Sequence, residues 1–381
     1  MSKKIRIGFM THTIDGRKAK GTAVVARKYV EALLRHRDEF DITFVHYEKT
    51  DDPIYTHGVR EVILPTFWPK FFNRHSLRQT WYFFTTKDRY DIFHWGQPRL
   101  YPFFWYVPAK HLVVATHGAD TAKAEPFNFM VLVFKWMLIL YRKRVDISIA
   151  ASDFAKGEIE RFYGFKPSQV RTITNGVEPM FVPASAEAVA AVKKKYKLPE
   201  KFFLNVARLN PGKNAFRVIR AYDLFMRTHP EADISFVNIG ADGFEKKEVF
   251  EFLDKSAYKD RITLVEYIEQ DDLPALYTAA YALVFPLLND GFGLPLLEAM
   301  ACGTPTAASD TALPEITSEE AILVNAFSEE DIAKAMETLL TDQNLRAKLI
   351  RNGFEKARAS TWEAVGEKII AIYKELAARD Q

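Results

Sequence analysis

Two carboxylates, Asp290 and Glu298, bracket a glycine-rich turn, Asn289-Asp290-Gly291-Phe292-Gly293. The apolar run Tyr281 to Leu288 before it reads as a buried strand, and the spacing after it predicts a helix from about Pro295 to Cys302. Proline suits a first helical turn, where its missing N–H loses no bond. Gly303 then stops the helix and Pro305 prevents its return. A turn of this kind aims the backbone N–H groups around Gly291, Gly293 and Leu294 in one direction, at the positive pole of the helix dipole. That arrangement suits a phosphate. An anion site with flanking carboxylates suits a ligand carrying both phosphates and hydroxyls, such as a sugar nucleotide. Glycines placed for steric reasons alone would share part of this pattern. A second set of groups is cationic: Arg208 and Lys213 flank Leu209-Asn210-Pro211-Gly212, directly after the apolar run Phe202 to Ala207. Arginine grips an anion through two parallel N–H bonds and lysine supplies a point charge. On a strand-end loop they stand where a diphosphate would lie, although an Arg and a Lys five positions apart are, taken alone, commonly just solvated.

Positioning these groups requires a framework of alternating strands and helices. Lys4 to Met10 reads as a first parallel strand. A polar, basic loop from Thr11 to Lys20 follows, and Gly21-Thr22 then open a helix over Ala23 to Leu34. Further strands are expected at Phe40–Tyr47, Asp91–Trp95, Leu112–Thr116, Asp146–Ala151, Phe202–Ala207, Ala232–Ile239, Arg261–Tyr267 and Ala321–Val324. Helices are expected after Asn214 to about Thr228, over Asp271–Ala280, and over Glu329–Leu340, Gln343–Ala359 and Trp362–Ala378. Ser152 or Asp153 can cap the helix after the Asp146 strand. Pro179, Pro183 and an Ala-rich stretch place a linker at about 176–196. Open α/β sheets bind ligands in the loops beyond their strand C-termini; a lone histidine is more often structural, but His117 ends the Leu112 strand in such a position, with Asp120 a weaker candidate in the same loop.

A chain of 381 residues is about right for two domains. The single cysteine, Cys302, permits no disulfide within one chain and fits a reducing cytoplasm. The opening MSKKIRIGFMTH has too short an apolar run for a signal peptide. The net charge of +3 hides an asymmetry: residues 1–180 hold 28 Lys+Arg against 18 Asp+Glu, and the remainder 24 against 31. A basic first half and an acidic second half suggest different partners for each. The acidic half and the phosphate-type turns argue against nucleic acid as a partner. Sixteen aromatic residues lie between Phe67 and Tyr106, interleaved with Lys70, Arg74, Arg78 and Arg99. Part of this cluster must be core. Phe67–Phe84 also reads as an interfacial surface, with rings at headgroup depth and cations on anionic lipid phosphates. Phe127 to Tyr141 is too short to span a bilayer and reads as a buried helix or as one lying on a membrane beside Arg142-Lys143-Arg144. The chain contains no Asp-x-Asp and no His/Cys cluster of zinc type, so no metal and no cofactor are expected.

The segment from Asp290 to Pro305, DGFGLPLLEAMACGTP, resembles the signature E-G-F-G-L-P-x-x-E-A-M-A-x-G-x-P of retaining glycosyltransferases of family 4. Asp290 stands where that family has Glu. Arg208 to Lys213 matches the family's R-L-x-x-x-K, and the stretch from Ala151 through Thr174-Asn175-Gly176-Val177 is also similar to family sequence. The resemblance implies a GT-B fold: two Rossmann-like α/β domains with parallel sheets facing across a deep cleft. It implies an N-terminal acceptor-side domain over 1–176, a nucleotide-sugar-binding domain over 177–360, and a terminal helix over 361–381 that crosses back to the first domain. By the same resemblance Glu298 accepts hydrogen bonds from the ribose hydroxyls, Asp290 from donor-sugar hydroxyls, and His117 faces the donor sugar. Gly21 lies near the donor phosphates and acceptor, and the loop at Tyr267-Ile268 receives the base through its backbone. Gly291, Phe292, Gly293 and Leu294 line the donor site. The implied activity is metal-independent transfer of a hexose, with retention, from a GDP- or UDP-sugar to a glycan or lipid-linked acceptor at the cytoplasmic membrane face. A phosphorylase or epimerase of the same fold is an alternative, although no lysine lies in the motif stretch for a phosphorylase cofactor. A catalytically weak sugar-nucleotide-binding module is another, made conceivable by Asp290.

Overall fold

The structure is a computed structural model, and it describes residues 4–12, 14, 22–66, 75–96, 106–118, 136–137, 139–288, 292–310 and 319–380. The chain divides into two compact units, residues 1–175 with 362–381, and residues 176–361.

The first unit is built on a seven-stranded sheet in the order β3-β2-β1-β4-β5-β6-β7. Its strands are β1 (Ile5–Met10), β2 (Phe40–His46), β3 (Arg60–Ile63), β4 (Tyr90–Trp95), β5 (Ala109–His117), β6 (Ile147–Ala150) and β7 (Val170–Thr172). Every pairing is parallel. The central strands β1, β4 and β6 are buried over most of their length, as expected where both faces of a parallel sheet are covered. Helix α1 (Thr22–Arg35) follows β1, α2 (His75–Thr85) precedes β4, and α3 (Asp153–Tyr163) follows β6. Ser152 caps α3 by accepting from Ala155 N at 3.0 Å, and Gly164 ends it at φ 69°.

The second unit carries a six-stranded parallel sheet in the order β10-β9-β8-β11-β12-β13. Its strands are β8 (Phe202–Val206), β9 (Ser235–Ile239), β10 (Ile262–Val265), β11 (Ala282–Phe285), β12 (Thr306–Ser309) and β13 (Ala321–Val324). Its helices are α4 (Ala186–Tyr196), α5 (Ala215–Thr228), α6 (Lys246–Leu253), α7 (Leu273–Ala279), α8 (Leu294–Ala301), α9 (Glu329–Thr341) and α10 (Gln343–Ala359). The last helix, α11 (Trp362–Ala378), belongs to the first unit. It packs on α1 so closely that a Cβ on Gly366 would meet Ala32 Cβ at 2.7 Å, so only a residue without a side chain fits there.

Several sequence expectations need correction. Residues 176–196 are not wholly linker: Ser185 accepts from Ala188 N at 3.3 Å and starts α4, whose Ala-Glu-Lys composition favours helix once Pro183 is passed. The strand expected at Tyr281–Leu288 is only β11, because Pro286 ends its ladder. The helix expected at Asp271 begins as a 3-10 turn over Gln270–Asp272, with α7 starting at Leu273. The short edge strands β3 and β7 and the helices α2 and α6 had no expected counterpart. Helix α2 divides the aromatic cluster by face: Tyr82 and Phe83 are core, whereas Trp81 and Phe84 are 54% and 56% exposed. Most of the aromatic stretch outside α2 and β4, and most of 127–141, lies outside the described residues.

Candidate functional site

In both sheets the strand order reverses next to the first strand of the unit, between β1 and β4 and between β8 and β11. Such reversals open a crevice beyond the strand C-termini. In the second unit the loops at that end are laced together. Leu288 N, at the exit of β11, donates to Gly212 O at 3.3 Å. This bond fixes the Arg208–Lys213 loop against the exit of β11. Asn214, at φ 59°, donates through Nδ2 to Pro286 O at 2.8 Å and to Ala326 O at 2.7 Å, tying the same loop to the exits of β11 and β13. Asparagine is among the few residues with a Cβ that tolerate that left-handed backbone.

On the other side the loop after β9 grips the loop after β8. Leu209 N donates to Asp242 O and Glu245 N to Leu209 O, each at 2.9 Å, and Phe244 N donates to Asn210 Oδ1 at 3.1 Å. Gly243, at φ 141°, lies where a Cβ would sit 2.3 Å from Leu209 O, so glycine is required. Gly240 N donates to Val265 O at 2.8 Å and brings in the exit of β10, which continues to Tyr267 and Ile268. Of that pair Tyr267 is 54% exposed and Ile268 is 4% exposed. The loops carrying Tyr267, Ile268, Arg208, Lys213 and the approach to α8 therefore form one connected row along a single sheet edge.

Arg208 donates through Nε and Nη2 to the two carboxylate oxygens of Asp242, at 3.2 and 2.7 Å. Both side chains are exposed, at 61% and 53%. Gly293, at φ 75°, is the N-cap of α8, and Leu296 N donates back to Gly293 O at 2.9 Å. Phe292 is buried and Leu294 opens the helix. One turn on, Glu298 is partly buried, and its Oε2 accepts from the Tyr277 hydroxyl at 2.7 Å. Burial pushes the Glu298 carboxyl up to about 7; the Tyr277 bond opposes this and the nearby Glu178 charge adds to it. Burial, and then the Glu298 charge, push the Cys302 thiol up to about 12, so it is a packed and unreactive sulfur.

His117 closes β5 in the first unit at φ 61°, where the β5–β6 register shifts. Its Nε2 lies 3.2 Å from Gly96 O. A carbonyl can only accept, so Nε2 carries the proton and Nδ1 remains an acceptor. Burial lowers the ring's pKa to about 4, which leaves it neutral at pH 7. Behind it His94 is fully buried, held down to about 3 by burial and by the His117 charge, and hydrogen-bonded through Nδ1 to the Tyr373 hydroxyl of α11. Gly21, Asp120, Asp290 and Gly291 lie outside the described residues. Sequence reasoning missed Asn214, Asp242 and Tyr277. Only Asn214 left a local signal, as a turn-type residue directly after Lys213. Asp242 and Tyr277 reach their partners from 34 and 21 positions away. Among the described residues no group of three or more His, Cys, Asp or Glu could hold a metal ion, and no helix is long and apolar enough to cross a membrane.

Comparison with known proteins adds the following. The family model described as "Glycosyl transferases group 1" matches residues 189–356, and that described as "Glycosyltransferase Family 4" matches residues 19–181. Similar curated proteins include the O-antigen chain mannosyltransferase B of Escherichia coli, 28% identical over 229 residues, or 59% of this chain. The serotype-specific mannosyltransferase WbdA of the same organism is 30% identical over 58% of this chain. A D-inositol 3-phosphate glycosyltransferase of Salinispora tropica is 30% identical over 74% of this chain. The chain spans 60%, 28% and 60% of these relatives' own lengths. Among solved structures, sucrose-phosphate synthase from Thermosynechococcus elongatus superposes with a TM-score of 0.75 at 22% identity, over 99% of this chain and 100% of its own. HepE of Anabaena, crystallised with UDP and glucose, gives 0.74 at 16% identity, over 97% and 100%. Both likenesses concern the fold.

Proposed function

Because the chain belongs to the group 1 glycosyltransferases of family 4, with the GT-B fold, we propose that it moves a hexose from a GDP- or UDP-sugar to a glycan or lipid-linked acceptor in the synthesis of a cell-envelope polysaccharide or glycolipid. The relatives named as mannosyltransferases make a mannosyl donor the first to test. The observation that carries this reading is the Leu288–Gly212 bond. It ties the cationic loop to the exit of β11, the strand that precedes α8, at the switch point of the second sheet.

In this reading the leaving diphosphate is stabilised by Arg208, Lys213 and the N–H groups at the start of α8, with no metal. Preorganised donors of this kind are worth most where charge develops. The Arg208–Asp242 pair is exposed, and such pairs contribute about 0–1 kcal/mol, so a diphosphate can displace Asp242 at little loss. Glu298 accepts from the ribose hydroxyls and Asp290 from the sugar. Tyr267 and Ile268 flank the base, and the family resemblance gives Gly21 a role near the phosphates. His117, neutral and with Nδ1 as an acceptor, receives a sugar hydroxyl. The acceptor hydroxyl attacks the anomeric carbon on the leaving-group face, the bond to the diphosphate breaks, and a diphosphate oxygen takes the proton, so configuration is retained.

The test is release of nucleoside diphosphate from GDP- and UDP-hexoses with a panel of glycan and lipid-linked acceptors. The Arg208→Ala/Lys213→Ala/Glu298→Ala variant, shown folded by circular dichroism, is expected to release none. Release at the wild-type rate would overturn the reading. Asp290 in place of the family Glu favours a second reading, a binding module, which donor binding without release across the whole panel would support. The outward face of α2, with Leu77, Trp81 and Phe84 exposed and the Phe84 ring tilted against Tyr106 at 4.4 Å, suits peripheral contact with an anionic bilayer at the inner face of the cell membrane. Sedimentation with anionic vesicles, weakening as salt is added, is the expected result; indifference to lipid charge would exclude it.

A further inference from the structure

Glu298 is a desolvated acidic side chain of the described row, and its orientation is set by a residue from another element. Tyr277 lies on α7 and is fully buried. Its backbone carbonyl accepts from Thr304 Oγ1 at 2.6 Å, which fastens α7 to the exit of α8, and its ring meets Phe181 edge-on at 6.0 Å. The ring thus has a fixed position, and the hydroxyl has a defined acceptor, Glu298 Oε2, at 2.7 Å. A carboxylate has two oxygens, each with two acceptor directions. With one oxygen held by a rigid phenol, the plane and tilt of the group are set before a ligand arrives.

We propose that Tyr277 is a positioning residue for the nucleotide: its hydroxyl holds one oxygen of Glu298 so that the carboxylate presents its remaining acceptor sites to a vicinal diol. The inference rests on the nucleotide-sugar reading of the site and adds to it the residue that determines recognition of the ribose rather than of the phosphates. A pair of hydroxyls on adjacent carbons needs a correctly tilted carboxylate to accept from both, whereas a single hydroxyl can be met in many orientations. The charged and titratable groups facing Glu298 are Tyr277 from α7, Glu178 from the segment before α4, and Cys302 one turn along its own helix. Of these the Tyr277 bond favours the carboxylate form and the Glu178 charge opposes it. Loss of the phenol hydroxyl therefore leaves Glu298 both misoriented and harder to ionise.

The experiment titrates wild type, Tyr277→Phe, Glu298→Gln and the double variant with UDP and GDP, and with the 2′,3′-dideoxy form of whichever binds, across pH 6 to 9. Wild type is expected to prefer the ribonucleotide. Tyr277→Phe should weaken ribonucleotide binding about three- to tenfold, the loss of one well-made hydrogen bond, and leave dideoxynucleotide binding unchanged. It should also move the acid limb of ribonucleotide binding to higher pH, and it should add nothing on top of Glu298→Gln. If Tyr277→Phe weakens both nucleotides equally, or neither, the assignment is overturned. If Glu298→Gln abolishes the ribose preference while Tyr277→Phe preserves it, only the role of Tyr277 fails. If wild type binds no nucleotide, or Glu298→Gln keeps the preference, the reading of the site fails with it. Tyr277→Met, of similar volume and without a hydroxyl, replaces the Phe variant should that one not fold.

Discussion

The carboxyl of Glu298 makes the site sensitive to pH even without ligand. Its folded pKa, raised from 4.5 to about 7, lies above that of the unfolded chain. Between these values the folded state holds a proton that the unfolded state has lost, so stability falls as pH rises through that window and levels off above it. Glu298→Gln removes the ionisation and keeps an oxygen for Tyr277. The variant is expected to melt above wild type at pH 8 by on the order of 2–3 kcal/mol, with the gap closing toward pH 5, although it binds nucleotide less well. A melting difference that does not change with pH would contradict this. Asn214 is the other residue whose environment allows few substitutes. Its amide satisfies two buried carbonyls from a left-handed backbone. Asn214→Gly keeps the backbone conformation and loses both bonds, for an expected loss of about 1–3 kcal/mol in urea unfolding. Asn214→Ala adds backbone strain of about 1–2 kcal/mol. Equal losses for the two variants would show that the backbone is not strained there.

At the scale of elements, helices α8 and α11 show opposite uses of glycine. Gly293 supplies the φ of 75° at the N-cap of α8, where the chain must turn from β11 into the helix. Gly366 supplies an absence, since its missing Cβ lets α11 lie against Ala32 of α1. Gly366→Val should force these helices apart and reduce stability by about 1–3 kcal/mol, read as a lower melting temperature with little change in nucleotide affinity, because Arg208, Lys213 and Glu298 all belong to the second unit. A melting temperature equal to wild type would mean that the helices tolerate a wider spacing. The strand ends themselves are defined by backbone bonds rather than by side-chain packing. The Leu209–Asp242 and Leu288–Gly212 bonds hold the loops of β8, β9 and β11 in a fixed row, so point changes on exposed side chains such as Asp242 should alter ligand contacts without moving the loops.

At the scale of the molecule, the first unit is completed only by the last twenty residues of the chain. Tyr373 of α11 bonds the buried His94 and packs edge-on with Phe40 at 6.2 Å, while Glu367 lies 3.0 Å from His36 and Asp380 lies 2.9 Å from Lys110. Trp362, Ile369, Ile370 and Leu376 are all buried. Removing residues 362–381 is expected to abolish or sharply lower the calorimetric transition of the first unit. The transition of the second unit, whose sheet and helices lie within 176–361, should persist. Two unchanged transitions would show that α11 is dispensable.

Much of this was written locally. Alternation of apolar runs with helical spacing places most strands and helices, because burial on both faces of a parallel sheet forces continuous apolar segments. The glycines and Pro295 mark the start of α8, and Gly303 its end, by residue type alone, and the Arg208–Lys213 spacing marks the loop proposed as its counterpart. The short edge strands β3 and β7 were not legible, since three or four residues paired on one side carry too little pattern. The helix α4 was hidden behind Pro179 and Pro183. Only the tertiary structure joined Tyr277 to Glu298, Arg208 to Asp242 and Tyr373 to His94. Each of these bonds links groups far apart in the chain, and a one-dimensional pattern records the period of burial but not which distant polar atoms burial brings face to face.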